Sequence, residues 1–315
     1  MEYRQLGRSG LKVSEISLGT WQNFGQRIDE AAAFAVLDNA VDLGINLIDT
    51  ADVYAGGKAE EVTGRWLAGK NRAELVIATK ARGRMGKGPN AEGLSRKHLF
   101  EACEASLRRL GTDYLDLYQC HHPDPVTPLA ETMGALTDLV RQGKVRYIGL
   151  SNYSADLIAE ATGISDRRNL EYFVSLQPNY SMLVRNIERA EIPRCEKDGL
   201  GLIVYSPLAQ GMLSDKYVGG DIPEGTRGAG NERFAQRLQE TLPRLQKLAA
   251  LAKGRNLTMS QLALAWILHQ RVLSSCIVGA SRPEQLQENA GASGVRLSEA
   301  EVQQIEEILS GPAGA

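Results

Sequence analysis

The sequence predicts an α/β chain folded as a (β/α)8 barrel of the TIM type, with an N-terminal β-hairpin and an extra C-terminal helix. Three observations lead there. Eight short apolar runs alternate with segments of helical periodicity along the 315 residues. Polar or ionisable residues end, or directly follow, seven of those runs: Asp49, Lys80, His121, Ser151-Asn152, Gln177, Tyr205-Ser206 and Ser281. An open doubly wound sheet concentrates its site at one switch point, whereas a barrel brings every strand end to one mouth. The GxGxxG fingerprint of an open dinucleotide-binding sheet is also absent.

The elements follow in order. Tyr3 to Leu6, a turn at Gly7-Arg8-Ser9-Gly10 and Leu11 to Val13 read as a hairpin, suited to cover the barrel end away from the mouth. Strand-like runs cover 16–20, 45–49, 75–80, 115–120, 145–151, 173–177, 201–206 and 276–280. Helix signals fill the gaps. Asp29 precedes a helix that ends near Gly44, and Ser95 precedes one from Arg96 to Leu110, stopped by Gly111. Thr127-Pro128 opens a helix running to Gln142 and stopped by Gly143. Thr258 with Gln261, and Ser298 with Glu301, have capping-box spacing. Only Ala209 to Leu242 breaks the rhythm, ahead of a helix predicted to start near Pro243. This glycine-rich stretch carries Lys216 and Arg227, and reads either as a cover over a phosphate-bearing ligand or as a solvated insertion. No linker divides the chain, so residues 1–315 form one predicted domain, with a frayed tail from Ser310 to Ala315.

Composition narrows the function. A formal net charge of −2, from 36 basic and 38 acidic residues, offers no field for nucleic acid or an anionic membrane. The N-terminus lacks the apolar core of a signal peptide, and no apolar stretch is long enough to span a bilayer. Cys103, Cys120, Cys195 and Cys276 form no CxxC pair, and reduced thiols in the cytoplasm are the simplest reading.

The chemistry gathers at Asp49, Tyr54, Lys80 and His121. Alone, Tyr54 reads as loop packing, Lys80 as a surface cation and Asp49 as a cap. Together they place a phenol beside an ammonium, a carboxylate that holds the ammonium, and an imidazole nearby. That set donates a proton to a carbonyl oxygen, with the ammonium expected to lower the phenol's pKa from ~10. Neighbours on an extended strand point apart, so His121 and His122 should diverge. With His98 and His269 in helices, no metal site with three protein ligands is predicted. A GxSxG elbow is absent, which argues against nucleophilic hydrolysis.

The chain resembles the aldo-keto reductase family over nearly its whole length. The motifs are Gly7-Arg8-Ser9-Gly10-Leu11-Lys12-Val13-Ser14, Gly19-Thr20-Trp21, Asn46 to Tyr54, Thr79-Lys80, Asp116 to His121 and Gly149 to Asn152. Tyr205-Ser206-Pro207-Leu208 and Gly279 to Asn289 complete the set. The last segment and Lys216-Tyr217 resemble the branch that holds potassium-channel β subunits and their bacterial relatives. The resemblance implies NADPH-dependent reduction of a small aldehyde or ketone, with NADP+ as the oxidised form, and it permits a homo-oligomer. Tyr54 would give the proton, Lys80 and Asp49 would tune it, and His121 would orient the carbonyl. Trp21, Phe24, Tyr54, His121 and His122 would face the substrate.

By the same resemblance, Ser151, Asn152, Gln177 and Tyr205 would hold nicotinamide, with Thr20, Trp21 and Asp49 close by. Ser206, Pro207, Leu208, Gln210 and Gly211 would line the pyrophosphate path under Lys216 and Arg227. Gly279, Ser281, Arg282, Gln285, Glu288 and Asn289 would receive the adenosine end. The chain departs from the family in two places: His122 stands where many relatives have Trp, and Gln285 where some have Arg. Channel β subunits of this branch lack the histidine that His121 supplies. Two rival readings remain, a non-catalytic subunit and a lyase forming a Schiff base on Lys80.

Overall fold

In a computed structural model that describes residues 1–311, eight parallel strands close into a barrel. The hairpin is β1 (Tyr3–Gln5) with β2 (Lys12–Ser14), and the barrel begins with β3 (Ile16–Gly19). Then come α1 (Glu30–Asp42), β4 (Leu47–Asp49), α2 (Lys58–Leu67), β5 (Val76–Ala81), α3 (Arg96–Leu110) and β6 (Leu115–Cys120). They are followed by α4 (Leu129–Arg141), β7 (Val145–Ser151), α5 (Ala155–Arg168), β8 (Phe173–Gln177), α6 (Glu191–Asp198) and β9 (Gly201–Tyr205). The chain continues through α7 (Glu232–Gly254), α8 (Met259–Leu268), β10 (Leu273–Gly279), α9 (Pro283–Ala290) and α10 (Glu299–Ser310). Around the barrel the order is β10-β3-β4-β5-β6-β7-β8-β9. Part of the tail read as frayed, residues 312–315, lies outside the described residues.

Period-two alternation sorts the side chains. Leu47, Val76, Ala78, Leu117, Ile203 and Ile277 fill the barrel interior, while Ile48, Ile77, Tyr118, Val204 and Val278 pack outward against the helices. Leu6 and Val13 of the hairpin join the interior cluster, so the hairpin seals the end away from the site. The top layer follows from register: Lys80 lies beside Gln119, and Ser151 beside Gln177.

Caps bear out the helix starts. Asp29 and Ser95 each accept a backbone N–H of the first turn, and both capping boxes close at Thr258 and Ser298. Strand β10 starts earlier than the sequence suggested, because Ser274 and Ser275 donate their hydroxyls to the Gln5 and Ser14 carbonyls. The larger correction is α7, which starts at Glu232 with Asn231 as its cap and passes through Pro243. An interior proline costs about 3 kcal/mol, and for that reason it read as a helix start. Burial of Phe234, Leu238, Thr241, Leu245 and Leu248 along one face outweighs it. The preceding loop is correspondingly shorter and contains two 3-10 turns, Ala209–Gly211 and Asp215–Tyr217.

Helices α2 and α3 meet at Gly64, where an added Cβ would stand 2.2 Å from the Arg109 carbonyl oxygen. Gly64→Ala should therefore destabilise the fold by about 1–3 kcal/mol in urea denaturation. Gly69→Ala, with nothing within 4 Å of the added carbon, should leave the midpoint nearly unchanged.

Candidate active site

Lys80 carries the site. It is fully buried, and each of its three N–H bonds has an acceptor: Asp49 Oδ1 at 2.5 Å, the Thr50 carbonyl at 2.9 Å and Tyr54 Oη at 3.1 Å. Burial alone would lower the Lys80 pKa, but Asp49 and Tyr54 more than offset it and the net shift is upward. The group is an ammonium at neutral pH. The other oxygen of Asp49 accepts from Gln177 Nε2 at 2.7 Å and Gln119 Nε2 at 3.3 Å, and Gln177 Nε2 also reaches Gln119 Oε1 at 3.1 Å. Gln119 was missing from the sequence reading. Its alternation with Leu117 on β6 was the available signal, since Leu117 faces the barrel interior.

Tyr54 opens a short turn just beyond β4, in which Ala55, Gly56 and Gly57 take φ of 52°, 65° and 97°. The two glycines adopt this left-handed path cheaply and turn the chain from Tyr54 directly into α2. The expected lowering of the phenol pKa is not found. Burial raises it, and the Lys80 charge offsets only part of that rise. The phenol thus keeps its proton through neutral pH.

His121 lies edge-on to Tyr54, with ring centroids 5.7 Å apart. Burial, then the charge of Lys80, pushes its pKa down to about 3, so the ring is neutral and offers a single N–H donor. His122 does not diverge from it. The two rings stack at 5.1 Å and 15°, because β6 ends at Cys120 and strand alternation no longer applies. Trp21 is 47% exposed, lies 6.5 Å from Tyr54 and carries the Arg227 guanidinium 5.0 Å above its ring. That contact places the loop after β9 against the mouth. Phe24, expected to face substrate, is fully buried in the outer core instead.

Beneath the mouth lies a second acidic centre. Asp52 is fully buried and neither carboxylate oxygen has a well-aligned donor. Glu60, also buried, accepts from Thr79 Oγ1 at 2.5 Å and Arg109 Nε at 2.6 Å. Burial, then the Glu60 charge, raises the Asp52 pKa to about 7, with small offsets from the Val53 amide, Arg109 and Lys80.

The residues expected around a dinucleotide fall along one arc of the mouth. Tyr205 Oη donates to Asn152 Oδ1 at 2.9 Å, Asn152 Nδ2 donates to Ser151 Oγ, and Ser151 Oγ donates to the Gln177 carbonyl. Beyond Tyr205, three non-glycine residues are left-handed, Ser206, Ala209 and Gln210 at φ of 54°, 47° and 62°, ahead of Gly211 at 93°. Pro207 is buried within this turn and Leu208 partly so. Such backbone costs of order 1–3 kcal/mol per residue and clusters where a ligand is held. Lys216 is exposed in the next turn.

At the far end, Gly279 is exposed, and Ser281 donates both its N–H and its hydroxyl to Gln285 Oε1. Arg282 is exposed at the start of α9, its nearest carboxylate Glu284 at 3.8 Å. Two residues are less open than expected: Thr20 is enclosed, with its hydroxyl on Thr50, and Asn289 is buried. Glu288 is exposed and accepts from Thr258 at the start of α8. Among the described residues, no group of three or more His, Cys, Asp or Glu could hold a metal, and no helix is long and apolar enough to cross a membrane.

The chain is thus a (β/α)8 barrel with a phenol, an ammonium–carboxylate pair and a neutral imidazole gathered at its mouth. Residues 15–310 match the family model described as Aldo/keto reductase family, and the chain belongs to that family, one of oxidoreductases. It is 40% identical over 98% of its length to a probable voltage-gated potassium channel subunit beta of Arabidopsis thaliana, covering 97% of that protein. It is 40% identical to a protein of the same description from Oryza sativa subsp. japonica, over 93% of this chain and 91% of the relative. A putative subunit of that kind from Schizosaccharomyces pombe is 41% identical, over 98% and 93%.

The buried acid yields a pH prediction. Between the ordinary carboxyl value of 3.8 and about 7, folded Asp52 keeps a proton that the unfolded chain has released, so stability falls as pH rises through that window. Asp52→Asn removes this slope. Its stability relative to wild type, from urea denaturation at about pH 4 and about pH 8, should improve by a few kcal/mol at the higher pH. A difference independent of pH would show that Asp52 does not hold the proton.

Proposed function

We propose that this protein reduces aldehydes or ketones to alcohols with NADPH, and that Tyr54 is the proton donor. The observation that carries the reading is the saturated Lys80 ammonium: of its three partners, only Tyr54 Oη can hand a proton onward. When bound, NADPH supplies the hydride that reaches the carbonyl carbon. Ser151, Asn152, Gln177 and Tyr205 would hold its nicotinamide, and the strained turn from Ser206 through Gly211 its pyrophosphate. Lys216 and Arg227 would cover that path. Gly279, Ser281, Arg282 and Gln285 would meet the adenosine end, where the start of a helix and an exposed guanidinium, held only by the exposed Glu284 at 3.8 Å, suit a 2′-phosphate.

In the reducing direction, the carbonyl oxygen sits between Tyr54 Oη and the neutral His121 ring. As negative charge develops there, the phenol passes its proton to the oxygen. The phenolate left behind is stabilised by the Lys80 ammonium, which Asp49, Gln119 and Gln177 hold in place. His121 contributes a hydrogen bond and no charge. Trp21 and His122 form walls of the pocket. A reducing compartment such as the cytoplasm accords with four buried free cysteines.

A second reading, a channel-associated and oligomeric subunit, is favoured by the names of the relatives. His121 favours turnover. The deciding comparison is Tyr54→Phe, which removes one oxygen and leaves the ring. NADPH-dependent reduction of an aromatic aldehyde should fall roughly 10²–10⁴-fold. NADPH binding, followed by fluorescence, should be unchanged. Full activity in the variant would remove Tyr54 from the role, and a wild-type protein that binds NADPH without turnover would favour the subunit reading.

A further inference from the structure

Resting on the reductase reading, we infer that the substrates are carbonyl compounds bearing a carboxylate, and that the Arg82 guanidinium binds that carboxylate. Arg82 is the first residue beyond β5, two positions after Lys80. It is half-buried and its Nε is shut off from solvent, yet no acceptor takes any of its side-chain N–H groups among the described residues. Among the described residues no carboxylate stands within ion-pair distance of it either, although a partly buried cation without an anion is costly. Its backbone is held at φ 149°, outside the regions that side-chain-bearing residues favour, and its carbonyl accepts the Gly93 N–H at 2.8 Å. Strain and an unmet charge at one position mark a group kept for a ligand.

The position fixes which ligand. In the barrel order, β5 lies diametrically opposite β9, so Arg82 stands across the mouth from Tyr205 and the proposed nicotinamide end. It is therefore badly placed for the cofactor's phosphates. Its charge reaches the site itself: after burial it is the next influence lowering the His122 pKa, and it acts on His121 as well. Two acids near the ends of β4 and β6 are committed elsewhere. Asp49 is bound by Lys80 and two glutamines, and Asp124 by the Leu94 and Val126 amides and the Thr127 hydroxyl. A carbonyl held between Tyr54 and His121 thus has the unneutralised Arg82 cation on the side away from the loop that carries Arg227, matched by a single negative charge. A planar guanidinium pairs with a carboxylate through two parallel hydrogen bonds.

The test compares 4-oxobutanoate with its methyl ester, which keeps the aldehyde and removes the charge. With NADPH, wild-type kcat/KM should favour the acid over the ester by about tenfold or more. In Arg82→Met that ratio should collapse toward one, mainly through KM for the acid, and Arg82→Lys should restore part of it. Turnover of both aldehydes without an acid preference, or an Arg82→Met ratio equal to wild type, would overturn the inference and leave the reductase reading intact. Butanoate binding, measured by calorimetry, separates the two ideas. If neither aldehyde is reduced while butanoate binds to wild type and not to Arg82→Met, the anion site stands and the reductase reading falls. Failure of both turnover and butanoate binding would remove both.

Discussion

The buried ammonium of Lys80 is the constraint on which the rest of the mouth depends. Withdrawing such a charge from water costs several kcal/mol, and the cost is met only if every N–H finds an acceptor and a counter-charge stands close by. The chain meets all of these conditions locally. Strand β4 ends in Asp49, the next carbonyl belongs to Thr50, and the turn at Tyr54 closes the third direction. Gln119 and Gln177 then complete Asp49 from strands further round the barrel. The same arrangement that makes the lysine tolerable also sets a phenol beside a charge, so the solution to a stability problem yields the geometry on which the proposed proton donation rests.

The layer behind supports this arrangement. Glu60 on α2 ties Thr79, the neighbour of Lys80, to Arg109 on α3. The close packing of these helices at Gly64 keeps that tie in place. Asp52, also buried, feels the Glu60 charge and has only the Val53 amide as a weak donor. Burial and the Glu60 charge favour the protonated form of Asp52, and Asp49 is the carboxylate that meets the Lys80 ammonium.

Much of this was legible in the sequence. A strand that ends in a charged residue after an uninterrupted apolar run announces a strand end at a mouth, as at Asp49 and Lys80. Glycines and capping residues marked most helix boundaries for equally local reasons. What stayed hidden depends on tertiary context. Gln119 sits inside an otherwise apolar strand and gains meaning only from the register beside Lys80. Pro243 carries the sign of a helix start, and only the packing of Phe234 and Leu238 shows that the helix begins earlier. The stacking of His122 on His121 depends on where β6 stops. The direction of the Tyr54 shift needed the depth of burial, which opposes the charge of Lys80. Arg82 stands near a strand end in the sequence, but that no acceptor among the described residues takes its side-chain N–H groups is visible only in the structure.

The central claim is that Asp49 acts through Lys80, and Lys80 through Tyr54, as one unit. A double-mutant cycle tests it most directly: rates of NADPH-dependent aldehyde reduction for Asp49→Asn, Lys80→Met and the double variant. Residues that work as a unit are strongly non-additive. The result that agrees is a double variant no slower than Lys80→Met, since Asp49 has nothing left to hold once the ammonium is gone. Losses that multiply, with the double variant slower by the product of the two single effects, would contradict the account.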